Sequence, residues 1–174
     1  ATTADVHLAL GNWDEAAQAA ELGWDATGTT SVLWAARFAM FGVVAEVERT
    51  LDRQARREPV DVDATIARLQ QRLDAACAFC EGVPGGPQRD TAAHLAHATA
   101  ALTRLEVSDA GVWGEAVARW RDLGDRWATA MALVREAEAS AFIGAADRAA
   151  SSLRQAHAIA SELNAVPLLA EIDA

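Results

Sequence analysis

Residues 113–124 read Trp-Gly-Glu-Ala-Val-Ala-Arg-Trp-Arg-Asp-Leu-Gly, and the same marks stand earlier in the chain, where Trp13-Asp14-Glu15-Ala16 leads to Leu22-Gly23. A weaker copy begins at Arg148. An aromatic ring followed three residues later by alanine suits packing between helices: the small residue lets a second helix approach, and the ring fills the gap beside it. Internal similarity of this kind implies a stack of helical hairpins. The two copies lie too far apart for one hairpin, so at least one more separates them. A long helix near residues 31–57 makes that one oversized, and the expected fold is all-α: an irregular α-solenoid of antiparallel helix hairpins with about eight helices.

Outward from these copies, turn signals and helical periodicity divide the chain. Gly11-Asn12 ends a short apolar segment, and the helix opened by Trp13 is expected to stop at Gly23. After a turn over 25–30, Leu33, Trp34, Phe38, Phe41, Val44, Val47 and Leu51 mark one face as far as Arg57-Glu58-Pro59. Gly42 lies inside this run without a second breaker, so one long helix is expected. Asp61 or Asp63 caps the next helix, which must stop in the Gly/Pro loop at 82–87. Helices from Asp90 to Glu106, from Ser108-Asp109 to Leu123-Gly124, from Trp127 to Ala141, and around Leu153–Leu163 follow. Asn164 to Pro167 is the last break. The whole of 1–174 reads as a single helical-repeat domain, with a possible subdivision at 82–87.

Composition agrees. About a quarter of the 174 residues are Ala, with 4 Pro, 11 Gly and no Tyr, which favours helix and gives little material for sheet. All 15 basic residues are Arg, against 25 acids, for a net charge of -10. Such a chain is not expected to grip nucleic-acid phosphates directly. No apolar run is long enough to span a bilayer and no basic region precedes an apolar stretch, so a cytoplasmic setting away from membranes is expected.

The segment 113–174 resembles the end of the helical-repeat region of large ATP-binding LuxR-type transcription regulators of the STAND class. The residues that carry the likeness are Trp113, Ala116 and Trp120, Leu123-Gly124, Arg135 with Glu138-Ala139, Ala156, and Leu163-Asn164. Gly11-Asn12-Trp13-Asp14-Glu15-Ala16 is similar to the turn and second-helix start of a tetratricopeptide repeat. Residues 30–107 match mainly in helix order. Two features depart from the pattern: the Ala145-Ala146 turn, where a glycine is expected, and the loop at 82–87. The resemblance implies a sensor or relay segment in signal transduction, set between an ATPase and a DNA-binding helix-turn-helix domain of the parent chain. Its partners would be those domains, a protein or small effector, or a second copy of itself. ATP would be held only by the neighbouring domain, because a chain without Lys has no Gly-x-x-x-x-Gly-Lys-Ser/Thr loop. The alternative is a stand-alone adaptor for protein–protein interaction.

Cys77-x-x-Cys80 and His94-x-x-His97 offer four soft metal ligands on helices joined by one loop, yet buried cysteines and helical pairs arise from core packing alone, which is the preferred reading. No catalytic constellation stands out, and no enzyme activity or cofactor is expected of this segment. Glu138 falls on the stripe of Met131 and Val134, with Arg135 nearby. Arg104, Arg135 and Glu138 are the residues expected to face a partner, on first helices lining the concave side of a stack. Trp13, Trp113, Trp120 and Trp127 are expected in the core, whereas Trp24 and Trp34 are expected to be exposed and partner-facing. Arg49, Arg53, Arg56 and Arg57 form a basic run at a helix end, expected to be solvated.

Overall fold

The computed structural model describes residues 2–27, 30–83 and 88–173. All regular structure among them is helical: α1 (Thr2–Ala9), α2 (Trp13–Thr27), α3 (Val32–Ala55), α4 (Val62–Glu81), α5 (Arg89–Thr103), α6 (Ala110–Leu123), α7 (Arg126–Phe142), α8 (Ala146–Glu162) and α9 (Val166–Ile172). The chain is all-α, with nine helices among the described residues where about eight were expected. Packing separates it into two compact units, residues 1–106 and 107–174. The division falls between Glu106 and Val107 and not at 82–87, because α3 packs against both α4 and α5 and so holds the two sides of that loop in one unit. Residues 84–87 themselves lie outside the described residues.

In the first unit α3 is the central helix, packed by α1, α2, α4 and α5. Its 24 residues run unbroken through Gly42, about 36 Å at 1.5 Å per residue. Burial is not confined to the expected stripe. Ala35, Ala36, Ala39, Val43 and Ala45 are covered along with Phe38, Phe41 and Val47, as a helix with neighbours on several sides requires. Asp61 caps α4 by accepting from the Ala64 amide at 2.9 Å.

One expected boundary is wrong. Helix α2 does not stop at Gly23 but continues to Thr27. A Cβ on Gly23 would stand 2.2 Å from Cε1 of Phe38, so the glycine is there for close approach of α3 and not to end the helix.

The second unit is a sequential stack in which α6 packs on α7, α7 on α8, and α8 on α9. Three of its helices end in the left-handed conformation, at Gly124 (φ 80°), Gly144 (φ 76°) and Asn164 (φ 53°), each twenty residues after the last. The hydrogen bonds follow suit: Asp125 N to Trp120 O at 3.1 Å, Ala145 N to Ser140 O at 2.8 Å, and Ala165 N to Ala160 O at 2.9 Å. These are the bonds by which a left-handed residue satisfies the last carbonyls of a helix. The glycine expected near Ala145-Ala146 is thus present, one position earlier, as Gly144. Asp109 and Asp125 cap α6 and α7 with their side chains.

Candidate functional site

A concavity of about 570 Å³ in the first unit is framed by the α1–α2 turn, the start of α2 and the last turns of α3. Its wall carries Arg49 and Arg53 of α3 and Arg56 at the helix end, with Asp14, Glu15, Asp52 and Glu58 around them and Trp13 beside the turn. Each arginine is engaged. Arg49 donates to Asp14 at 3.0 Å and to Glu46 at 2.6 Å, and Glu46 also accepts from Arg68 at 2.8 Å. Arg53 donates to the Pro59 carbonyl at 2.6 Å and lies 3.4 Å from Glu58. Arg56 meets both oxygens of Asp52 at 3.0 and 3.1 Å. Burial works against the charge of Arg49, but the hydrogen bonds and charges of Asp14 and Glu46 outweigh it and hold the guanidinium firmly protonated. The basic run is therefore a mixed-charge groove with its charges locally neutralised.

The partner-facing expectations resolve differently. Arg104 closes α5 and pairs with Glu48 of α3, both carboxylate and guanidinium largely covered. Arg135 reaches Glu138 at 2.6 Å and Glu171 of α9 at 2.9 Å, tying α7 to α9. Glu138 is exposed and not on a buried stripe. The buried acid of α7 is Glu136, 8% exposed, which sequence reasoning missed. Its Oε1 accepts from Arg148 of α8 at 2.6 Å and its Oε2 from Ser152 at 2.9 Å. Arg148 also donates to the Ala110 carbonyl at 2.7 Å at the start of α6. The signal that would have found it is Gly114: the glycine in WGEA where the first copy has Asp14 leaves room for the guanidinium, and a Cβ there would meet Arg148 Nη2 at 2.9 Å.

The tryptophans divide in an unexpected way. Trp113 and Trp120 are buried, at 1% and 3% exposure, and Trp13 is half-buried. Trp127 is 46% exposed, contrary to expectation. Trp24 and Trp34 are half-buried against a cluster of Ala4, Ala20, Phe38 and Phe41, so neither is a free surface ring. Trp34 stacks on Phe38 at 5.6 Å. Trp127 opens α7 at a turn, whereas the other two face the α2–α3 seam.

No group of three or more His, Cys, Asp or Glu among the described residues is placed to hold a metal ion, so Cys77, Cys80, His94 and His97 are not assembled into a site. Cys80 is buried and its thiol points to the Val32 carbonyl at 3.7 Å, while His94 Nδ1 lies 2.6 Å from the Asp90 carbonyl. Burial, with Glu81 and Asp74 nearby, pushes the Cys77 thiol up, and burial with Cys77 and Glu81 does the same to Cys80. A raised thiol carries less of the nucleophilic thiolate near neutral pH.

No helix among the described residues is long and apolar enough to cross a membrane. Comparison with protein-family models, with curated proteins and with solved structures returns no match.

Proposed function

We propose that this chain is a relay segment of a LuxR-type transcription regulator, acting in the cytoplasm through contact with protein partners or an effector while neighbouring domains of the parent chain bind ATP and DNA. The observation that carries the reading is the twenty-residue rhythm of the second unit. The residues on which the resemblance rests fall at its structural joints: Leu123-Gly124 and Leu163-Asn164 at helix ends, and Trp113, Ala116 and Trp120 in the seam between helices. A stack of this kind offers its surface for contact while its core holds the spacing.

The turns of the second unit expose apolar side chains, with Phe142 75%, Ile143 60%, Val166 70% and Trp127 46% accessible. Phe142 and Ile143 are neighbours at the end of α7, and two adjacent exposed apolar side chains support a contact role there. The test uses the full-length parent protein with Trp127→Ser and Phe142→Ser introduced together. Lost transcriptional response to the inducing condition, with DNA affinity unchanged, supports the relay role. An unchanged response rejects it. A parent reading frame without a phosphate loop and a helix-turn-helix segment favours the stand-alone adaptor instead.

A further inference from the structure

Helix α7 lies in the interior of the chain and packs against both α6 and α8, which leave nine of its 17 residues buried. What remains open is one strip. At about 100° per residue, Trp127, Met131, Arg135, Glu138 and Phe142 fall within about 80° of one another. Trp127, Glu138 and Phe142 are exposed, and Met131 and Arg135 are half-buried. A single apolar side chain in water is ordinary, but an exposed ring at each end of one strip, with a methionine between, is apolar surface gathered on one face.

The order of side chains along the strip points to its occupant. Trp127 and Met131 stand at one end, Phe142 at the other, and the charges of Arg135 and Glu138 between them, 2.6 Å apart. Arg135 is also held by Glu171 of α9 at 2.9 Å, so its guanidinium is fixed in place. A two-fold contact requires a surface complementary to itself. When a second α7 is laid antiparallel on the first, with the axis midway between Arg135 and Glu138, each arginine comes opposite the glutamate of the second copy. Met131 then comes opposite Phe142, a favourable sulfur–ring contact made twice. Trp127 comes opposite exposed Ala146, one turn beyond Phe142. In a parallel arrangement Arg135 would face Arg135 and Glu138 would face Glu138, which disfavours it.

We propose that the open strip of α7 is a two-fold contact between copies of this chain, α7 against α7 antiparallel, with crossed Arg135–Glu138 pairs at its centre and methionine–ring contacts on either side. The pairing rests on the contact role given above to the exposed side chains of the second unit and names their partner. One helix face about 25 Å long is a small interface. The dimer is therefore weak and forms when copies are brought together.

Sedimentation equilibrium of the full chain tests this. The unaltered chain should contain dimer at about 0.5 mM, and Phe142→Ser should weaken the association at least about tenfold. Glu138→Arg leaves two cations on the strip and Arg135→Glu leaves two anions, so each variant alone should stay monomeric. An equimolar mixture of the two should associate, because every arginine of one chain then faces a carboxylate of the other. Damage to the fold would not be repaired by mixing. A monomeric unaltered chain at that concentration overturns the proposal, even where a variant fails to fold. So does a dimer indifferent to Phe142→Ser, or a mixture no more associated than its parts. Mass is read on the chain alone, so these results leave a relay through another partner standing, whereas an unchanged response of the parent protein rejects the relay without touching the dimer.

Discussion

Arg148 Nη2 stands 2.6 Å from Glu136 Oε1, joining α8 to a carboxylate that is almost wholly covered on α7. Removing the guanidinium would leave Glu136 with Ser152 as its remaining partner at 2.9 Å. An uncompensated buried carboxylate is far costlier than the pair is stabilising. Arg148→Ala should therefore destabilise the second unit by about 2 kcal/mol, read by denaturant unfolding. A loss within experimental error would show that water replaces the guanidinium freely.

Gly114 should be coupled to this pair. Gly to Ala inside a helix ordinarily gains about 1 kcal/mol, but a Cβ at 114 would meet Arg148 Nη2 at 2.9 Å and Glu136 Oε1 at 3.2 Å. Gly114→Ala alone should yield no gain or a loss. In an Arg148→Ala background the same change should recover part of that ~1 kcal/mol, since the nearer obstructing group is gone and Glu136 Oε1 alone remains at 3.2 Å. Equal effects in the two backgrounds would mean that the side chain steps aside at no cost.

Gly23 presents a harder contact, because the atoms that a Cβ would meet are the ring carbons of Phe38. Gly23→Ala should destabilise the first unit by about 2 kcal/mol despite the better helix former, and Phe38→Leu should relieve part of that loss. The check is a thermal or denaturant melt of the two single variants and the double variant. A stabilising Gly23→Ala would contradict the close approach.

Burial pushes the Asp5 carboxyl above its ordinary value of 3.8, and the charge of Arg37 offsets only part of this. A carboxyl raised in the folded state binds its proton more tightly there, so the penalty on seating α1 is fully present above the folded pKa. It fades as pH falls through that value towards 3.8. The Asp5 contribution to the hydrogen-exchange protection of α1 should rise on going from about pH 7 to about pH 4, after correction for intrinsic exchange. Asp5→Asn should remove that contribution and protect α1 better at the higher pH. A contribution that weakens on acidification would reverse the sign.

The raised thiols give a chemical check. At about pH 8 iodoacetamide should modify half-exposed Cys77 more slowly than a free cysteine, because less of it is thiolate. Cys80, at 0% exposure, should react only on unfolding. Modification of Cys80 at the free-thiol rate in the folded protein, followed by mass spectrometry, would show that the α3–α4 packing around it opens readily.

Much of the fold was legible because its determinants are local. Asp61, Asp109 and Asp125 accept from amides two or three residues ahead, and Gly124 and Gly144 close helices through bonds spanning five residues or fewer. Such interactions are written in neighbouring residues, so the positions of these helices could be read from periodicity and turn chemistry alone. The candidate site was less legible: Arg49, Arg53 and Arg56 were visible as a run, but not the carboxylates from α2 and beyond that neutralise them.

Periodicity and turn residues are enough to specify an all-helical chain and the residues at which most of its helices begin and end. Which side of each helix is covered depends on neighbours brought in by the fold. Helix α7 packs against both α6 and α8, so burial extends around it and the stripe of Met131, Val134 and Glu138 does not define its inner face. Glu136 rather than Glu138 is the buried acid because Arg148 arrives from α8. Gly23 continues a helix against Phe38, whereas Gly124 ends one by taking φ 80° and letting Asp125 N reach Trp120 O. A local pattern sets what a residue can do within a turn or two, and the neighbour that selects among those possibilities comes from elsewhere in the chain.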